Sequence, residues 1–242
     1  MTKTRKCWKP ASFETKESRA AEQRLLRLAE DLVGHIQALN TGSGEQLAAL
    51  LDRSRLSQLN QFILIVGTKG AGKSTFIQRF FDLKLPPELH DVCVPISINL
   101  ADSEGDENRI LEWLRRTLLE KTENTLGGTT PSWNELIGHM FFSEYQRWST
   151  GSMKHLYEKD KQEFKVQFGR HIEKIRSENP LEYIRGLLRN LVRGRKQVPC
   201  LVFDNADHFS IEFQERVFQF ARSLFEQELS VVIMPITDKT SW

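Results

Sequence analysis

The stretch FILIVGTKGAGKST, residues 62–75, decides how this chain folds. An apolar run from Phe62 to Val66 feeds into Gly67-Thr68-Lys69-Gly70-Ala71-Gly72-Lys73-Ser74, which fits the spacing GxxxxGK[ST] at every fixed position. Phe76, Ile77, Phe80 and Phe81 follow at amphipathic spacing. This pattern predicts a buried strand, a glycine-rich loop and a helix, the unit in which backbone N–H groups wrap a phosphate chain at a helix N-terminus. The glycines let backbone come close to phosphate. The expected cradle is Gly67, Thr68, Lys69, Gly70, Ala71, Gly72, Lys73, Ser74 and Thr75. Within it Lys73 reaches the terminal phosphates and Ser74 offers a hydroxyl to Mg²⁺.

Outward from that loop, the 242 residues suffice for one large α/β domain with a small appendage. Hydrophobic content of 39% and charged content of 27% are ordinary for a globular chain, and a net charge of +2 gives no whole-chain argument for nucleic acid. No apolar run approaches the roughly 18 residues a membrane helix needs. The start, MTKTRKCWKPASF, is basic but lacks the apolar core of a secretory signal. Cys7, Cys93 and Cys200 have no metal-ligand spacing. Cys93 and Cys200 fall in apolar strand-like runs and read as buried thiols, which points to a reducing, cytoplasmic setting.

The organisation expected is residues 1–59 as an arm and helices, then a core over 60–242 with a helical insertion over about 103–196. Leu25, Leu28, Leu32 and Ile36 recur at three- and four-residue steps and predict a helix from Glu17 to Leu39. A short helix from Gln46 follows. Residues 91–100 read as a strand, with Pro95 suggesting an edge. Helices are expected from Ile110, over Trp133 to Trp148, through the charged stretch 150–180, and over Leu181 to Val192. A strand follows from Val198, and a helix over 211–228 is capped by Ser210 with Phe209 before it. Residues 230–236 form the last strand. The chain stops at Trp242, directly after a core strand, so a longer parent with a C-terminal lid is expected.

A phosphate site needs a metal, and the metal needs a carboxylate. Asp204, at the end of the apolar run VPCLVFD, is the candidate, holding Mg²⁺ opposite Ser74. The next residue is Asn205, which can hydrogen-bond a water but cannot take its proton. Asp207 reads two ways, as a catalytic base or as a structural acceptor at the strand–helix turn. His208 reads as a turn histidine. Thr237, with Asp238 second, is placed at the tip of the last strand to touch the γ-phosphate or the attacking water. The basic turn Arg189-Asn190-Leu191-Val192-Arg193-Gly194-Arg195-Lys196 reads as a phosphate-backbone contact, a solvated loop or a subunit interface.

Taken together, these elements resemble the ASCE group of P-loop ATPases. LVFDNADHFS, a helix and SVVIMPITD are similar to the AAA+/STAND lineage, including KAP-type and origin-recognition-like ATPases, where a D-[DN]-x-D pattern follows the second Walker strand. Asp204, Asn205 and Asp207 match that pattern. The resemblance implies a three-layer α/β P-loop fold with a mostly parallel sheet, ATP and Mg²⁺ as ligands, and catalytic roles for Lys73, Asp204, Asn205, Asp207 and Thr237. It also implies a homo-oligomer with an arginine supplied by a neighbour, and an effector partner, often in bacterial defence against phage. DNA-associated loading and a non-hydrolysing scaffold are its rivals. The departures are a long helical insertion between the Walker strands and the lack of a lid.

Overall fold

The computed structural model of the chain describes residues 36–57, 59–128 and 130–237. Five strands make one sheet: β1 (Ile36–Asn40), β2 (Gln61–Gly67), β3 (Cys93–Asn99), β4 (Val198–Asp204) and β5 (Val231–Thr237). Their order is β1-β2-β5-β4-β3, and every pair is parallel. Three of these strands, β2, β4 and β5, are buried along nearly their whole length. A parallel strand covered on both faces has no wet side, which is why their sequences are continuous apolar runs. β3 lies at the sheet edge, where a proline such as Pro95 is tolerated.

Helices cover both faces. On one face α1 (Gly44–Ser57), α2 (Lys73–Arg79) and α3 (Pro87–His90) bury Leu47, Leu51, Ile77 and Leu89 against Ile63, Ile65, Val202 and Ile233. Cys93 and Cys200 lie in this layer as free, buried thiols. The other face carries α4 (Ile110–Thr125), α5 (Trp133–Glu135), α6 (Phe142–Thr150), α7 (Lys154–Lys159), α8 (Lys161–Glu178), α9 (Pro180–Arg189) and α10 (Ile211–Gln227). There Phe62 of β2 packs on Phe218 and Phe225 of α10, with ring centroids 5.1 and 5.7 Å apart. Odd and even positions of each strand thus feed different layers, as the pleat requires. The result is a three-layer α/β fold.

Two local expectations need correction. Ile36 to Asn40 do not continue a helix; they form β1, each residue paired in parallel with Phe62 to Val66. Without β1, the outer N–H and C=O groups of the buried β2 would face no partner, and satisfying them outweighs the helical spacing of Leu28, Leu32 and Ile36. The segment of that helix before residue 36, the arm with Cys7, Asp238 and Trp242 lie outside the described residues. Second, residues 133–148 are not one helix. Ser132 caps α5 through a capping box with Glu135, a π-type turn runs to Met140, and Phe141, at φ −127°, breaks the path before α6. The break lets Met140 and Phe141 both reach the core.

The parallel arrangement brings the C-terminal tips of all five strands to one edge. In register, Gly67 lies opposite Thr237, and Asn99 opposite Asp204. The chain leaves β2 for one face of the sheet and β4 for the other. A crevice opens between such diverging connections, beyond the carboxyl ends of the strands.

Candidate functional site

The loop after β2 turns sharply at two glycines. Gly70 and Gly72 hold φ of 80° and 76°, the left-handed region where any Cβ is strained. Gly72 caps α2, and Phe76 N–H donates to its carbonyl at 2.7 Å. The first N–H groups of α2, which have no carbonyl behind them, are left to face the loop, as at any helix start. Gly67 is tight for a different reason: a Cβ there would lie 3.3 Å from the Ala71 methyl and 3.5 Å from Lys73 Cγ.

Lys73 is almost wholly buried, with 8% of its side chain exposed. Its Nζ folds back over the loop and donates to Gly67 O at 3.1 Å and Thr68 O at 3.3 Å. It also donates to Thr237 Oγ1 at 3.0 Å and lies 3.3 Å from Asp207 Oδ2. Thr237 in turn donates its hydroxyl to Asp207 Oδ2. Beside this group, Ser74 Oγ donates to Asp204 Oδ1 at 2.8 Å. Residues from β2, α2, β4, the turn after β4 and β5 therefore meet at one edge, Lys73 and Thr237 touching across 164 positions of sequence.

The turn after β4 explains how Asp207 gets there. Asn205 adopts the left-handed conformation at φ 63°, which Asn tolerates better than most residues. Its N–H donates to Asp204 Oδ1 at 2.9 Å, and its side-chain amide donates to Asn99 Oδ1 at 2.7 Å. The chain then runs through a short 3-10 turn, Ala206–His208, that carries Asp207 back over the end of β5, while His208 stays exposed. Ser210 closes the segment by accepting from Phe213 N–H at 3.2 Å, and its hydroxyl donates to Glu107. Phe209 stacks on Phe213 at 4.2 Å.

Asn99 is the participant the sequence reading did not single out. It ends β3, accepts from Asn205, and donates to Asp102 at 2.8 Å. A polar residue closing an apolar strand at the same sheet edge as Asp204 and Thr237 is the signal that marks it. The basic turn stands elsewhere. It precedes β4, so it lies at the opposite edge of the sheet from the phosphate loop. Arg189 is engaged by Glu182 and Glu228, and Arg195 lies 3.8 Å from Glu135.

Chemically, the site offers one buried cation aimed at the loop, two hydroxyls, and two carboxylates on neighbouring sides. Ser74 and Asp204 are hard oxygen donors already in contact, a pair suited to a small divalent cation that keeps most of its shell as water and phosphate oxygens. Among the described residues no cluster of three or more His, Cys, Asp or Glu forms a metal cage, and no helix is long and apolar enough to cross a membrane. Residues 54–238 match the model of a family described as AAA domain, well over half of the chain. No curated protein matches the chain.

Proposed function

We propose that this chain, which belongs to the AAA domain family, binds ATP with Mg²⁺ at the loop after β2 and hydrolyses it slowly as the switch of a self-associating assembly. The observation that carries this reading is the meeting of Lys73, Ser74, Asp204, Asp207 and Thr237 at one strand-tip edge. Family membership supports a nucleotide-binding ATPase in general; the roles that follow are our assignment.

In this reading the loop from Gly67 to Thr75 wraps the phosphates with backbone N–H groups, and Lys73 compensates the charge on the terminal ones. Ser74 and Asp204 hold the divalent ion, whose charge neutralises what develops on the leaving phosphate oxygens. Thr237 hydrogen-bonds the γ-phosphate or the attacking water. Asp207, which accepts from Thr237, is a carboxylate that can take the proton of that water, as Asn205 cannot. Asn205 instead ties the tip of β4 to Asn99. Weak water activation follows, and an arginine from a neighbouring copy is the group that completes the site; such a finger is worth roughly 10³–10⁵ in rate.

The test is phosphate release measured across protein concentration. Turnover per chain that rises with concentration fits the reading. Fast turnover independent of concentration refutes it in favour of a self-sufficient hydrolase. Asn205 keeps a second reading in view, a scaffold that uses nucleotide only for structure; binding without any phosphate release at any concentration selects it.

A further inference from the structure

The ammonium of Lys73 has three protons and no vacancy. It faces Gly67 O, Thr68 O and Thr237 Oγ1 at 3.1, 3.3 and 3.0 Å, with Asp207 Oδ2 at 3.3 Å. The Lys73 and Asp207 side chains are 8% and 13% exposed, so this pair is poorly screened by water. Thr237 binds both partners, accepting from Lys73 and donating to Asp207. The left-handed Asn205 and the 3-10 turn exist at the place where they deliver this carboxylate to this cation.

We infer that Asp207 is a built-in counter-ion for Lys73 that makes the site prefer nucleoside diphosphate over nucleoside triphosphate. This rests on the nucleotide-site reading above. A lysine at this position of the loop serves the β- and γ-phosphates. A diphosphate ends at the β-phosphate, so it shares Lys73 with Asp207 but sets no γ-phosphate beside the carboxylate. A triphosphate brings further negative charge into the space that Asp207 shares with Lys73. Either the two anions stand side by side, or the carboxylate must leave its buried contacts with Lys73 and Thr237. Like charges set close together in a partly desolvated site are unfavourable. The triphosphate carries that cost and the diphosphate does not. Asp207 therefore acts as a selectivity residue in binding, whatever it does later to the attacking water.

The experiment is calorimetric titration of the full chain with Mg²⁺ and either ADP or the β,γ-imido analogue of ATP, which excludes turnover. Wild type is expected to bind ADP the more tightly. Asp207→Asn keeps the shape and removes the charge; Asp207→Ala removes both. In each, the ratio of analogue affinity to ADP affinity is expected to rise on the order of tenfold, chiefly through tighter analogue binding. A rise of threefold or more supports the inference. A smaller rise, an unchanged ratio or a fall overturns it, and so does a wild type that already prefers the analogue, whatever the variants do. A wild type silent to both nucleotides fails the nucleotide-site reading itself, and the inference falls with it; a wild type that binds both while the ratio stays fixed fails the inference alone.

Discussion

Replacing Arg189 with methionine should destabilise the protein by about 3 kcal/mol. The guanidinium donates from Nε to Glu228 Oε1 at 2.8 Å, from Nη2 to Glu182 Oε1 at 3.0 Å, and from Nη1 to the Met140 carbonyl at 3.1 Å. It joins α9 to the break before α6 and to the residue that follows α10, on the path into β5 and the nucleotide edge. Methionine fills the space but leaves Glu228, only 8% exposed, without its cation. Breaking a buried pair from one side costs about 3–5 kcal/mol; Arg189 keeps 24% of its side chain exposed, which argues for the lower end. Against a total of about 5–15 kcal/mol that is a large share. The loss should depend on pH. Burial holds the Glu228 carboxyl above the usual carboxylate range, while the hydrogen bond and charge of Arg189 pull it down. Without Arg189 the folded-state value rises further above the unfolded one. A raised carboxylate contributes most to stability when protonated and loses that contribution as pH rises through the folded value. The Arg189→Met deficit should thus be full at pH 7 and shrink toward pH 5, and adding Glu228→Gln should recover about half of it at pH 7. Urea denaturation at both pH values measures this. A deficit below about 1 kcal/mol, or one that does not change with pH, refutes the reasoning.

Asp204→Ala should abolish the gain in nucleotide affinity that Mg²⁺ provides, leaving metal-free binding nearly unchanged, as titrations with and without the ion would show. Glu135→Gln should loosen the start of α5. The Glu135 carboxyl is held below the usual range by its hydrogen bond from Asn190 and then by the Ser132 N–H. A depressed carboxylate stabilises above its unfolded value, about 4.3, and the benefit disappears as pH falls through the lower folded value. The difference in melting temperature between wild type and Glu135→Gln should therefore be present at pH 7 and shrink progressively as pH falls below the unfolded carboxylate value.

The phosphate loop was fully legible because its chemistry is local: glycines at fixed φ, a lysine and a hydroxyl, all within eight residues. The fully buried strands were legible for a related reason, since burial on both faces leaves no polar position in the run. What the sequence hid is long-range. Nothing in IQALN distinguishes a last helical turn from an edge strand; the decision lies with β2, whose outer edge needed a partner. The break at Phe141 is likewise set by what Met140 and Phe141 must reach, against a spacing that reads as continuous helix. In the candidate site, Lys73 and Asp204 are singled out by their own sequence surroundings, and the structure places them side by side with Ser74 and Thr237. Asn99 is not singled out this way, because its meaning comes from lying in register with Asp204, 105 positions away, on a strand whose place in the sheet the sequence does not state. Asp207 was visible as a carboxylate, but its closeness to Lys73 depends on Asn205 turning left-handed.

The central claim is that the loop after β2 is a nucleotide site run by Lys73, and isothermal titration with ATP and Mg²⁺ tests it most directly. Wild type should bind with a measurable heat. Lys73→Ala should lose binding or weaken it severely while its circular dichroism and urea midpoint show an intact fold, because the phosphates lose their buried point charge. Equal affinity in wild type and Lys73→Ala would contradict the account.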